Sequence, residues 1–155
     1  MAGIFEASLI TPAAAPGVAY LLIQHSGAAT SPRMRLRELT WTTKAGTQSP
    51  VGLIRTATLG VPSGPVAGQA CDDLENAAAK GQLAIPGTAG NAPTIAGSPV
   101  YFRQFYAAAV AGSGISWTWP VGEEITISPG GGLLLWNMDG AITGSILSAS
   151  ARWAE

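Results

Sequence analysis

Proline and glycine break this chain so often that a long helix has no room to form. Pro12, Pro16, Gly27, Pro32, Gly46, Pro50, Gly60, Pro62 and Pro65 punctuate its first half, and 20 Gly and 11 Pro are spread over 155 residues. Short segments between turn signals suit strands of a sandwich or barrel. Between the breaks, apolar and polar residues alternate. Ile115, Trp117 and Trp119 stand against Ser116 and Thr118; Leu147, Ala149, Ala151 and Trp153 stand against Ser148, Ser150 and Arg152. A period of two gives each strand one buried and one wet face.

These patterns predict strands near 3–10, 18–25, 34–44, 51–60, 99–110, 115–120, 124–128, 132–137 and 141–153. The fold expected is all-β, an antiparallel, jelly-roll-like β-sandwich. Residues 1–16 are expected as an N-terminal arm or first strand, and 17–155 as one domain. The small, Pro-bearing arm is expected to be removable with the fold largely intact. Within Arg33–Thr43 the apolar phase slips, from Met34 and Leu36 to Leu39 and Trp41, as a β-bulge or a bend between sheets requires. From 61 to 98 the pattern dissolves into one long loop, the kind of insertion that often marks a binding or assembly element. Inside it, ACDDLENAAAKG is expected to hold one or two helical turns, capped by Asp72 or Asp73 and ended by Gly81.

Charge is the second constraint. Only 11% of residues are charged, against about 25% in an ordinary domain. Too few charges remain to cover the surface of a monomer, so burial against another subunit is expected. The net charge of −1 provides no long-range attraction for nucleic acid or an anionic membrane. Its basic cluster, Arg33, Arg35 and Arg37, has strand spacing on one face and reads as a solvated face or a salt bridge to a neighbouring subunit. Cys71 is the only cysteine, so no intrachain disulfide forms. The start, MAGIFEASLI, lacks a signal peptide's basic and apolar regions, and the apolar run 18–23 is far shorter than the ~20 residues of a membrane helix. The expectation is a soluble protein made in a reducing cytosol.

Reaction chemistry is hard to find. His25, the only histidine, is followed by Ser26, but neighbours on a strand point to opposite faces. Glu123 and Glu124 sit together in a predicted hairpin turn, unlike glycosidase carboxylates drawn from separate strands. Asp72, Asp73 and Glu75 lack the spacing of a calcium loop and read as a helix-start cap. The glycines at 130–132 are followed by a strand rather than by the Lys-Ser/Thr of a phosphate loop. Cys71 has no His or second Cys nearby to share a metal. Of the five tryptophans, Trp117 and Trp119 share a face with Ile115, which favours core or interface over a sugar-binding stripe.

In PVYFRQFYAAAV, a regular strand puts Tyr101 and Phe105 on one face and Phe102 and Tyr106 on the other. One aromatic face belongs in the core. The second must be covered by the long loop or by a symmetry-related subunit. Tyr101, Phe105 and Trp136 are therefore the candidate subunit interface.

The series RLRELTWTTKAG, VGLIRTATLG, a Gly/Pro/Ala-rich loop, SWTWPVGEEITISPGGGLLLWN and a closing SASARWAE resembles the jelly-roll cement or decoration proteins of tailed-phage heads, cyanophage-type heads included. The likeness covers most of 33–155 and rests on segment order, the W-x-W strand with its acidic turn, and the alternating final strand. It implies a virion structural protein, a homotrimer on the outside of the shell that binds the major capsid protein. It implies no catalytic residue, cofactor or metal, and makes Arg33, Arg35 and Arg37 candidate capsid contacts. The alternative is a receptor- or glycan-binding module of a tail or fibre, which requires an exposed Trp or Tyr platform. A cupin-like enzyme would need clustered histidines.

Overall fold

The computed structural model describes residues 3–71, 79–88 and 90–155. Among them are thirteen strands and no helix: β1 (Ile4–Ile10), β2 (Ala19–His25), β3 (Met34–Ala45), β4 (Ser49–Thr58), β5 (Ser63–Ala67), β6 (Gln69–Ala70), β7 (Gly81–Ile85), β8 (Thr94–Ile95), β9 (Tyr101–Ala107), β10 (Gly114–Thr118), β11 (Ile125–Ile127), β12 (Gly132–Asn137) and β13 (Ile146–Ala154). They form two packed antiparallel sheets. The first runs β10-β3-β13-β1-β6, with β11 also on β3, and the second β5-β7-β2-β12-β4-β8, with β9 also on β4. Leaving out β5 to β8, the orders β1-β13-β3-β10/β11 and β2-β12-β4-β9 are the double Greek key of a jelly roll.

The main core lies between the sheets and is filled by alternate residues of each strand. Trp41, Trp153, Leu36, Leu39 and Met34 come from the first sheet; Tyr20, Leu21, Ile23, Leu53 and Leu135 come from the second. Strands β2 and β12 bury both faces, which explains why AYLLIQH and GLLLWN read as nearly unbroken apolar runs. Their outward residues Ala19, Leu22 and Leu134 join Ile54 in a smaller cluster, over which Leu59, Ile95, Tyr101 and Trp136 pack. The long insertion therefore covers the outer face of the second sheet with Ile95 of β8.

The phase slip in β3 is a bulge at Arg37. Opposite it on β13, Arg152 pairs with Glu38 and Trp153 pairs with Leu36, leaving Arg37 as the extra residue. It keeps Met34 and Leu36 facing the same core as Leu39 and Trp41.

Two expectations need correction. Residues 61–98 are not structureless. β7 pairs with Leu22–His25 of β2, β5 pairs with β7, and β6 pairs with Phe5 and Glu6 of β1. At Gly68 the chain passes from the edge of one sheet to the edge of the other. A Cβ there would run into the Trp153 indole, so only glycine lets the crossing lie flat on that ring. The expected helical turns fall on 72–78, outside the described residues, and Gly81 begins β7 rather than ending a helix. The second correction concerns the N-terminal arm. Of the two readings, arm or first strand, residues 4–10 take the second: β1 pairs with β13 at seven positions and carries Phe5 and Ala7 into the core, so removing them is expected to cost the fold rather than spare it.

Candidate functional site

Strand β9 leaves three aromatic side chains, Phe102, Phe105 and Tyr106, partly in solvent. Among the described residues it pairs only with β4, so its other hydrogen-bonding edge has no strand partner. A second bulge sets its side chains. Ile54 stands opposite Tyr101 and Leu53 opposite Arg103, so Phe102 is the extra residue. The slip places Tyr101 and Phe105 on opposite faces, correcting the shared face that a regular strand implies.

Tyr101 faces outward with Ile54 and lies over Gly52, where a Cβ would collide with its ring. Burial raises its phenol above the ordinary value. Trp136 stands opposite Gly52 and Ala19 in the same outer cluster. Both are half-buried against their own chain, which supplies the cover that an aromatic face needs.

Phe105 takes the other direction. Opposite Val51, it turns to the side of the sandwich, and its ring meets Trp41 edge-on with centroids 5.8 Å apart. Trp41 in turn meets Trp117 edge-on at 6.2 Å. Phe105 closes this aromatic trio and remains 41% exposed. Beside it Phe102 is 37% and Tyr106 62% exposed, and Val100 and Val110 flank the strand in the open. Arg55 packs its guanidinium over the Phe102 ring at 5.4 Å. Arg103 is the only charged residue between Lys80 and Glu123. The open edge thus carries Phe102, with Phe105 on the core side and Tyr106 on the outer side, and two arginines, Arg55 and Arg103, beside them. Of the three residues named from the sequence, it includes only Phe105.

The arginines occupy the outer face at the far end of β3. The bulge sets Arg37 and Glu38 outward in succession. Arg37 Nε lies 3.3 Å from Glu124 Oε1. The Glu124 carboxylate also accepts the Gly122 N–H at 2.6 Å. Backbone N–H groups of Glu124 and Gly122, and then Arg37 and Arg35, hold its pKa below the usual carboxylate range, against some desolvation. Arg33 and Arg35 are exposed and line a concavity of about 650 Å³ with Glu124, Thr126 and Glu155.

The remaining sequence candidates have structural duties. His25 is buried: its Nε2–H donates to the Pro32 carbonyl at 2.6 Å, and its Nδ1 accepts the Gly27 N–H at 2.9 Å. The ring pins the turn between β2 and β3, while Ser26 Oγ donates to the Lys80 carbonyl at 2.9 Å. Glu123 is exposed, whereas Glu124 folds back into its own turn. The glycines at 130–132 make the β11–β12 turn, with Gly130 at φ +74° and its N–H on the His25 carbonyl. Cys71 is exposed with a free thiol. Trp41, Trp117, Trp119 and Trp153 are buried, and Trp136 is half-buried. Among the described residues no three His, Cys, Asp or Glu side chains come together to hold a metal, and no helix is long and apolar enough to cross a membrane.

Two polar locks were not read from the sequence. Buried Asn137 donates through Nδ2 to the carbonyls of Ala14 (3.0 Å), Ala15 (3.2 Å) and Ile142 (2.9 Å), tying the β1–β2 connection to the β12–β13 loop. Glu155 accepts the Lys80 N–H at 2.8 Å, the Gly81 N–H and the Trp153 indole N–H at 2.9 Å, tying β7 to the end of β13. A lone Asn or Glu has no pattern that announces such partners. No protein-family model matches the chain, and no significant match is found among curated proteins or solved structures.

Proposed function

We propose that this protein is a structural component that works by self-association, a phage-head decoration protein that binds the outer surface of the shell as a homotrimer and stabilises it. The observation that carries the reading is the open β9 edge, where Phe102, Phe105 and Tyr106 lie exposed beside an unpaired row of backbone groups. Natural edge strands are blunted by lysines, prolines or a cover. Within β9 only the bulge at Phe102 and the single Arg103 serve that end. Such an edge favours a partner that covers the aromatics and completes the sheet. The resemblance in segment order supplies the capsid context. A glycan-binding role is less favoured, because four of five indoles are in the core and none forms an exposed platform.

The test combines mass in solution with binding to heads. Wild-type protein should be oligomeric and should co-sediment with assembled phage heads lacking their own decoration protein. Tyr106→Asp, at a mostly exposed position, should keep the fold and lose the oligomer. A monomeric wild type that ignores heads overturns the proposal.

A further inference from the structure

Among the described residues six strands have a partner on one side only: β5, β6, β8, β9, β10 and β11. A seventh, β1, is half open. β6 covers its outer edge at Phe5 and Glu6. Beyond that cover, the alternation that points the Ile4 carbonyl at the Cys71 N–H turns the backbone of Ser8 and Ile10 outward with no strand beside it. A hollow of about 600 Å³ lies between Ala7 and Ser8 on one side and Val66 and Ala67 on the other. Glu6 is the only charged residue lining it, and Ile10 is 51% exposed. Of the seven open strands only two carry charge: β1 has the carboxylate of Glu6, and β9 has the guanidinium of Arg103. Neither is in an ion pair among the described residues. Arg152 stands opposite Glu6 on β13, but it also stands opposite Glu38, so that row keeps a net negative charge. On the β9 side Arg55 adds a second guanidinium, stacked on Phe102.

We propose that the β9 edge of one copy docks on the open β1 edge of the next, with Arg103 facing Glu6 and the β9 aromatics covering Ile10 and Val66. Strand addition supplies hydrogen bonds to the backbone of Ser8 and Ile10, and the opposite charges fix which edges meet. β9 laid against β9 would instead set Arg103 near its own copy, like charge against like. A patch that meets itself also closes as a pair, whereas unlike edges pass from copy to copy, and three is the smallest ring they close. This contact rests on the self-association proposed above and gives it a second surface.

The experiment follows association of the full chain by sedimentation velocity for wild type, Glu6→Arg, Arg103→Glu and the double variant, with near-UV circular dichroism to confirm the fold. Each single variant should associate at least about tenfold more weakly, and the double variant should recover to within about threefold of wild type. Amide hydrogen exchange is read on wild type alone, so it decides even where a charge reversal unfolds the chain. The Ser8 and Ile10 amides should exchange at least about tenfold more slowly in the oligomer than at a dilution where it dissociates. A wild-type oligomer with equally fast Ser8 and Ile10 exchange, or a double variant no better than the singles, overturns this contact and leaves self-association standing. A wild type that is a single chain at every concentration removes both.

Discussion

Phe105 rests edge-on against Trp41 at 5.8 Å, yet two-fifths of its surface remains in solvent. One side chain thus has two roles, sealing the side of the core and offering apolar surface to a neighbour. The roles separate by mutation. Phe105→Ala should destabilise the fold by about 2 kcal/mol in urea unfolding, near half the loss for a fully buried Phe. Tyr106→Asp should change the stability of the single chain, compared at dilution where the wild type is dissociated, by less than about 0.5 kcal/mol while abolishing association, because its ring stands clear of the core. Equal unfolding midpoints for wild type and Phe105→Ala would refute the packing role.

Removing residues 1–16 should abolish cooperative unfolding. The deletion strips β13 of a seven-residue partner and takes Phe5, Ala7 and Ala14 from the core. Near-UV circular dichroism checks this; a native spectrum in the truncated protein would contradict the central place of β1.

Asn137 offers a sharper test of the loop lock. Asn137→Ala leaves the Ala14 and Ile142 carbonyls without their donor, at a cost of about 3 kcal/mol. Asn137→Asp should be worse, since a carboxylate would face three carbonyl oxygens. Thermal melting ranks the variants. Limited proteolysis should locate the new sensitivity in 11–17 and 138–145.

Trp153 and Trp41 are both fully buried, but only Trp153 donates its indole N–H, to Glu155; Trp41 Nε1 has no partner among the described residues. Trp153→Phe should therefore cost more than Trp41→Phe, by about 1.5 kcal/mol or more, the worth of a bond to a charged group. Denaturant unfolding of the pair decides it, and equal losses would contradict the Glu155 lock.

Glu124 predicts an acid limb. Its folded pKa lies below the unfolded value of 4.5, so its stabilisation is complete above that value and is lost as pH falls through the folded one. Glu124→Gln should flatten the stability curve below about pH 5 and leave its slope near neutrality unchanged. An unaltered acid limb would show that the backbone and arginine contacts do not favour the ionised form.

Much of the architecture was legible because its signals were local. Gly and Pro set the strand breaks, the alternation in Ile115–Trp119 and Leu147–Trp153 set the buried faces, and the slip from Leu36 to Leu39 revealed the Arg37 bulge. The Phe102 bulge was hidden because both faces of β9 carry aromatics, so no change of phase shows in residue type. Strands β5 to β8 were missed for a related reason. Gly, Ala, Ser and Pro make up most of β5, while β6 and β8 are two residues each, and the set forms because β1, β2, β4 and β7 present edges to pair with. Side-chain locks such as Asn137 with Ala14 join residues far apart in the chain, which no spacing rule can reveal.

Sedimentation velocity of the wild-type chain beside Tyr106→Asp puts the central claim to its most direct trial. The account predicts a wild-type species near three times the 15.7 kDa chain mass and a folded single chain for the variant. A wild type that stays at 15.7 kDa at high concentration, with β9 open to solvent, would contradict it.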